Sequence, residues 1–188
     1  MWYIMPWCII MRIIAGQARG MSLFSPKNNA RPTPDIVRES LFNIIAPDIA
    51  DAAFLDLFAG SGAVGLEAAS RGASPVYLVD VDVTTASKNA SKLGLGASVL
   101  KMPCDAAIRR FAAQKMRFDF IFADPPYGTG LAEKTAVAVA KSDILAPGGC
   151  LMTEYAKNEP ELTAPSGFKL VRRKEYSNTR IDFLQSYE

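Results

Sequence analysis

From residue 54 onward, short apolar runs alternate with helix-length segments, and this order constrains the fold more than any other feature of the chain. Strands are expected at 54–58 (FLDLF), 76–80 (VYLVD), 98–102 (SVLKM), 118–124 (FDFIFAD) and 149–155 (GCLMTEY). Helices are expected between them at 62–71, 84–93, 105–114 and 130–141. Strands separated by helices of this length form βαβ units, so an α/β fold follows, with a parallel sheet covered on both faces. The tail 168–186 breaks the rhythm with two strand-like runs around Ser177 and Asn178, which read as a closing antiparallel hairpin.

Ahead of this core, residues 12–26 (RIIAGQARGMSLFSP) mix short apolar runs with Gly16 and Gly20 and read as a small hairpin. Residues 31–45 (RPTPDIVRESLFNII) read as a helix, with Thr33 a candidate N-cap, Pro34 at the first helical position, and Val37, Leu41 and Ile44 on one face. At 188 residues the chain has room for one domain, divided into an N-terminal hairpin and helix at 11–46 and a core at 54–188. The first ten residues, MWYIMPWCII, lack a basic leader and contain Pro6, so they read as neither a signal peptide nor a membrane span. Met11 opens a more polar run, and residues 1–10 are expected to be an extension from a mis-assigned start.

The chain has no histidine, which removes the commonest general base, nucleophile partner and metal ligand together. Cys8, Cys104 and Cys150 lie far apart and form no C-x-x-C pair, so neither a metal site nor a disulfide scaffold is expected. A reduced, cytoplasmic setting is the corresponding expectation. Charge is distributed unevenly. Arg12, Arg19, Lys27, Arg31 and Arg38 face only Asp35 and Glu39 within 11–40, and the segment 166–188 is basic too, whereas the middle is acidic. Basic ends suit a polyanion contacted by the termini, with Arg12, Arg19, Arg31 and Arg38 as candidate contacts.

Residues 54–68 (FLDLFAGSGAVGLEA) contain G-x-G-x-x-G at Gly60, Gly62 and Gly65, a pattern shared by dinucleotide sites and other adenosine sites. Asp80, with Val81 beside it, stands where ribose hydroxyls are met in either case; Asp82 is a less direct alternative. Asp56 discriminates between the ligands. A carboxylate beside the loop repels a pyrophosphate and attracts an ammonium group, which favours S-adenosylmethionine over a dinucleotide. Asp105 is expected either to meet an adenine amino group, with the Ala106 amide as a donor to the ring, or to cap the helix that starts there.

Asp124, Pro125, Pro126 and Tyr127 end the fourth strand and therefore share a sheet edge with the glycine loop. Two prolines give a stiff turn without N–H donors, presenting the Asp124 carboxylate and the Pro125 carbonyl as acceptors. Such a turn suits a planar NH₂ group gripped by both hydrogens, with Tyr127 stacked on the base that carries it.

Together the glycine loop, the acidic VDVD at 79–82 and DPPYG at 124–128 resemble class I methyltransferases acting on exocyclic amines. With MRIIAGQARG and RPTPDIVRESLFNII in front, residues 11–186 resemble the bacterial family of 16S rRNA guanine-N2 methyltransferases. The resemblance implies a Rossmann-like, seven-stranded, mostly parallel sheet, S-adenosyl-L-methionine as donor, and a guanine of small-subunit rRNA as acceptor. It implies that the loop of Ala59, Gly60, Ser61 and Gly62 takes the methionine end, and that Asp80 takes the ribose. It also favours a monomer acting on a ribosomal particle. Met21 and Ser22 stand where the family usually has basic residues, and Ser177 where it commonly has glycine.

Rival readings meet specific obstacles. Pro103-Cys104 follows the third strand rather than the fourth, where a cytosine-C5 nucleophile belongs, and glutamine-N5 enzymes usually carry Asn at the Asp124 position. An adenine-N6 enzyme shares the site chemistry but normally needs a recognition region for which this chain has no room. A non-catalytic RNA- or adenosine-binding module would not need the acceptor turn.

Overall fold

The computed structural model describes residues 11–25 and 34–187. The readings made for residues 1–10, Lys27, Arg31 and Thr33 lie outside the described residues. The core elements are β1 (Phe54–Leu57), α2 (Ala63–Ser70), β2 (Val76–Asp80), α3 (Thr84–Leu93), β3 (Ser98–Lys101), α4 (Cys104–Ala113), β4 (Phe118–Ala123), α5 (Leu131–Ser142) and β5 (Leu145–Ala156). Before them stands α1 (Asp35–Ile45), and after them β6 (Phe168–Glu175) and β7 (Thr179–Ser186). The seven strands form one sheet in the order β3-β2-β1-β4-β5-β7-β6. β7 pairs antiparallel with both its neighbours and alone runs against the rest.

Burial explains why the central strands read as continuous apolar runs. Phe54, Phe120, Phe122 and Met152 point into the layer under α1 and α2. Leu55, Leu57, Ile121 and Leu151 point into the layer under α4 and α5. A sheet covered on both faces needs apolar side chains at every position rather than at every second one. Asp56, buried within β1, interrupts this apolar pattern.

Three boundaries differ from the sequence expectation. Pro34 occupies the N-cap position of α1 with extended ψ, one place before the first helical residue. Pro103 likewise precedes α4, so Asp105 sits inside the first turn and does not cap it. β5 starts at Leu145 because Leu145 pairs with Phe118 before a register shift resumes the ladder at Phe120 and Cys150. Ala146-Pro147-Gly148-Gly149 looks like a turn, but it runs along β4 as an irregular strand. A Cβ on Gly149 would lie 2.9 Å from the Asp119 carbonyl oxygen, so only glycine permits that approach.

The N-terminal segment is a loop closed by one antiparallel bridge, Arg12 with Ser22, rather than a full hairpin ladder. Side chains of α2 and α3 hold it. Glu67, fully buried, accepts the N–H groups of Ile14 (2.7 Å) and Ala15 (3.0 Å) and the Arg71 Nε–H (2.7 Å), and pairs with Arg38 at 3.9 Å. Ser70 Oγ accepts the Ala18 N–H and donates to the Ala15 carbonyl. Asn89 brackets Phe24 and also donates to the Ser61 carbonyl at 2.8 Å, which ties this segment to the glycine loop. Glu67→Gln leaves the loop N–H donors and the Arg71 guanidinium without their carboxylate and removes one of the two acids beside Arg38. It is expected to cost about 3 kcal/mol or more in urea unfolding. A loss below about 1 kcal/mol would show that the network is dispensable.

Candidate active site

At the carboxyl ends of β1, β2 and β4 lies a cleft of about 800 Å³, the place where open α/β sheets bind ligands. The chain leaves β1 through Phe58, whose φ of +64° is strained for a bulky residue. Phe58 lines the cleft, and no sequence signal marked it. Each glycine of the loop that follows has its own cause. Gly60 adopts φ +54°, and a Cβ there would meet nothing within 4 Å, so the left-handed bend rather than crowding favours glycine. Gly62, at φ +78°, forms the N-cap of α2. Gly65 lies inside α2 against β2, where a Cβ would fall 2.1 Å from Leu78 Cδ2.

Two carboxylates underlie this loop. Asp80 Oδ2 accepts the Gly60 N–H at 2.8 Å, and its Oδ1 accepts the Asp82 N–H at 3.0 Å. Asp56, 1% exposed, accepts the Gly65 N–H at 2.8 Å. Burial pushes the Asp56 carboxyl up from 3.8 to about 7; the Gly65 N–H opposes that shift and the Asp80 charge adds to it. A pyrophosphate would find the Gly60 amide already taken by a carboxylate, over a floor that repels it. A cationic ligand would relieve the same repulsion. Ala59, Ser61 and Val81 also line the cleft, while Gly62 packs beneath it against Leu66 and Leu78.

The opposite wall is the turn after β4. The Asp124 N–H lies 3.5 Å from the Leu57 carbonyl, which places Asp124 beside the exit from β1. Asp124, Pro125, Pro126 and Tyr127 all line the same cleft as Gly60. Thr129 Oγ donates to the Pro126 carbonyl at 2.6 Å and accepts the Leu131 N–H, so the turn is braced from within. Tyr127 is 44% exposed while its hydroxyl donates to the buried Glu154 carboxylate at 3.2 Å. The sequence reading missed Glu154. An acid inside the otherwise apolar β5, one residue past the partner of Ala123, was the available signal.

Asp105 reaches the cleft rim, but its carboxylate accepts Arg109 Nη1–H at 2.7 Å. That bond, first among its causes, holds its pKa below the usual range, and the Asp105 and Ala106 N–H groups also face its carboxylate. Ala106 does not line the cleft, nor does Asp82, which accepts the Thr84 N–H instead. Cys104 lies on the wall near Thr135, and burial raises its thiol to about 11, the behaviour of a packing residue rather than a nucleophile.

Among the candidate RNA contacts, Arg12 and Arg19 are exposed. Arg38 is not. It is fully buried, donates to the Arg12 carbonyl (2.9 Å) and the Asp35 carboxylate (2.6 Å), and therefore braces the fold and cannot meet RNA.

Dinucleotide-binding sheets continue past the crevice as parallel strands in the order 3-2-1-4-5-6. Here the sixth position is taken by the reversed β7, slotted between β5 and β6, and that arrangement places the fold among the Rossmann-like methyltransferases. The chain belongs to the family described as Conserved hypothetical protein 95, whose model matches residues 11–185. It is 37% identical over 166 residues to Ribosomal RNA small subunit methyltransferase D of Escherichia coli strain K12, covering 87% of this chain and 84% of that one. To the protein of the same name from Haemophilus influenzae it is 34% identical over 172 residues, covering 87% and 88%. The solved structure of yhhF from Escherichia coli superimposes with a TM-score of 0.83 at 36% identity, covering 94% of this chain and 98% of that chain.

Proposed function

We propose that this chain methylates the exocyclic N2 amine of a guanine in 16S rRNA, using S-adenosyl-L-methionine, as a cytoplasmic monomer acting on a small-subunit particle. One observation carries the reading: the stiff acceptor turn at 124–127 and the carboxylate-floored glycine loop line one cleft. The names of the curated relatives support rRNA as the substrate class.

S-adenosylmethionine supplies a methyl group on a sulfonium centre. Its ammonium and sulfonium charges suit a floor made of Asp56 and Asp80, and Asp80 can also accept from ribose hydroxyls. The Asp124 carboxylate and the Pro125 carbonyl accept the two hydrogens of the target amine, which favours a pyramidal nitrogen with its lone pair aimed at the donor. Tyr127, held by Glu154, stacks on the base. The proton displaced from nitrogen leaves to an Asp124 oxygen or to water. Arg12 and Arg19 meet the RNA backbone.

The test is transfer of labelled methyl groups to 16S rRNA and to small-subunit particles from cells lacking this protein, followed by mass-spectrometric mapping. N2-methylguanine is the expected product. N6-methyladenine would move the assignment to the adenine enzymes, and absence of both cofactor binding and transfer would leave a non-catalytic module.

A further inference from the structure

The basic tail has a feature that the cleft does not use. Three of its cations are already engaged: Arg173 pairs with Asp182 and Glu161, Arg180 pairs with Glu175, and Lys169 lies over the Tyr187 ring. Arg172 and Lys174 form no ion pair among the described residues. Both line a groove of about 520 Å³ between α1 and β6, together with Ile36, Ser40, Asn43 and one acid, Glu39.

The sheet register locates this groove relative to the site. Arg172 pairs with Phe183, Phe183 with Met152, and Met152 with Phe122. Lys174 pairs with Ile181 and Ile181 with Glu154, one row beyond the pairing of Thr153 with Ala123. Lys174 therefore stands on the row of Asp124. Phe122, Met152, Phe183 and Ile181 all face the α1 layer, so Arg172 and Lys174 project on that side too. Three strand steps of roughly 4.8 Å put Lys174 on the order of 15 Å from the acceptor turn, a span of a few nucleotides.

We propose that the α1–β6 groove is a second RNA contact, in which Arg172 and Lys174 hold backbone phosphates a few nucleotides from the target guanine and Ser40 and Asn43 donate to phosphate or ribose oxygens. The inference rests on the RNA reading above and extends it to a surface that the N-terminal arginines do not cover. Cations on an edge strand also discourage sheet-to-sheet pairing. That role needs charge along the open edge, whereas these two side chains point over the α1 face into a groove with neutral donors opposite.

The test compares wild type, the double variant Arg172→Ala/Lys174→Ala, and Glu39→Gln for methyl transfer to small-subunit rRNA and for RNA binding across a salt series. The double variant is expected to raise KM for RNA about tenfold with kcat and S-adenosylmethionine affinity unchanged, and to flatten the log–log salt slope by about 1.4. Glu39→Gln, which removes the one acid, is expected to lower KM. Melting temperature and sedimentation check that each variant folds and stays dispersed. An unchanged KM and slope in the double variant, or self-association as its only effect, would overturn the groove while leaving the substrate reading intact. Wild-type protein that neither binds nor methylates rRNA would overturn both.

Discussion

Asp124→Ala is expected to lower methyl transfer about a thousandfold while leaving S-adenosylmethionine affinity within about threefold. The residue lines the cleft just past β4, on the wall opposite the glycine loop, where the proposed mechanism has its carboxylate accept from the target amine rather than bind the cofactor. Its loss removes an interaction that strengthens as the nitrogen rehybridises, so the effect falls on kcat. Asp124→Asn keeps one acceptor oxygen but can turn an NH₂ toward the substrate amine, and should fall between alanine and wild type. Single-turnover kinetics with saturating cofactor, alongside calorimetry, separates the two steps. Near-wild-type turnover in the alanine variant, or a parallel collapse of cofactor binding, would refute the role.

Asp56→Asn is expected to strengthen the fold and weaken the enzyme at the same time. Because burial raises the Asp56 pKa from 3.8 to about 7, its contribution to stability is fully present below about pH 4 and is lost as pH rises through 7. An asparagine keeps an acceptor for the Gly65 N–H without that loss. At pH 8 the variant should therefore exceed wild type in stability, by at most about 4 kcal/mol, and the advantage should shrink toward pH 5. Cofactor affinity should move the other way. The ionised carboxylate attracts the cationic ligand, so wild-type affinity is expected to drop as pH falls from 8 to 6. The variant should bind at least about tenfold more weakly at pH 8 and lose that pH dependence. Thermal melts and calorimetry at the two pH values decide it. A variant that binds as tightly as wild type, with the same pH profile, would remove Asp56 from the site.

The elements with strong periodicity were legible in advance, and so was the meeting of Asp56, Gly60, Asp80 and Asp124 at one edge. In a parallel sheet every strand delivers its C-terminal residue to the same side, so sequence order alone brings these four together. Arg38 lies in a basic segment that reads as solvated from its sequence neighbours alone, yet it is fully buried. It sits between the Asp35 carboxylate on its own helix and the Arg12 carbonyl of the N-terminal loop, with Glu67 of α2 at 3.9 Å. Asp105 has the residue type of a cap, but Pro103, two places before it, sets the helix boundary. β5 began early because the pairing of Leu145 with Phe118 outweighs the local turn preference of Pro147-Gly148. Glu154 came to light only once Tyr127 folded back over it, since nothing local to the acid announces a tyrosine hydroxyl from another loop.

The bond between the Gly60 amide and the Asp80 carboxylate also bears on redesign. Grafting a phosphate-binding loop onto this scaffold would import the right curvature and still fail to retain a diphosphate. The acid at the tip of β2 would go on occupying the one amide that matters, and a second acid would stay buried below. On the proposed reading ligand choice is written at the strand termini, so a change of cofactor would begin with residues 56 and 80 and reach the glycines last.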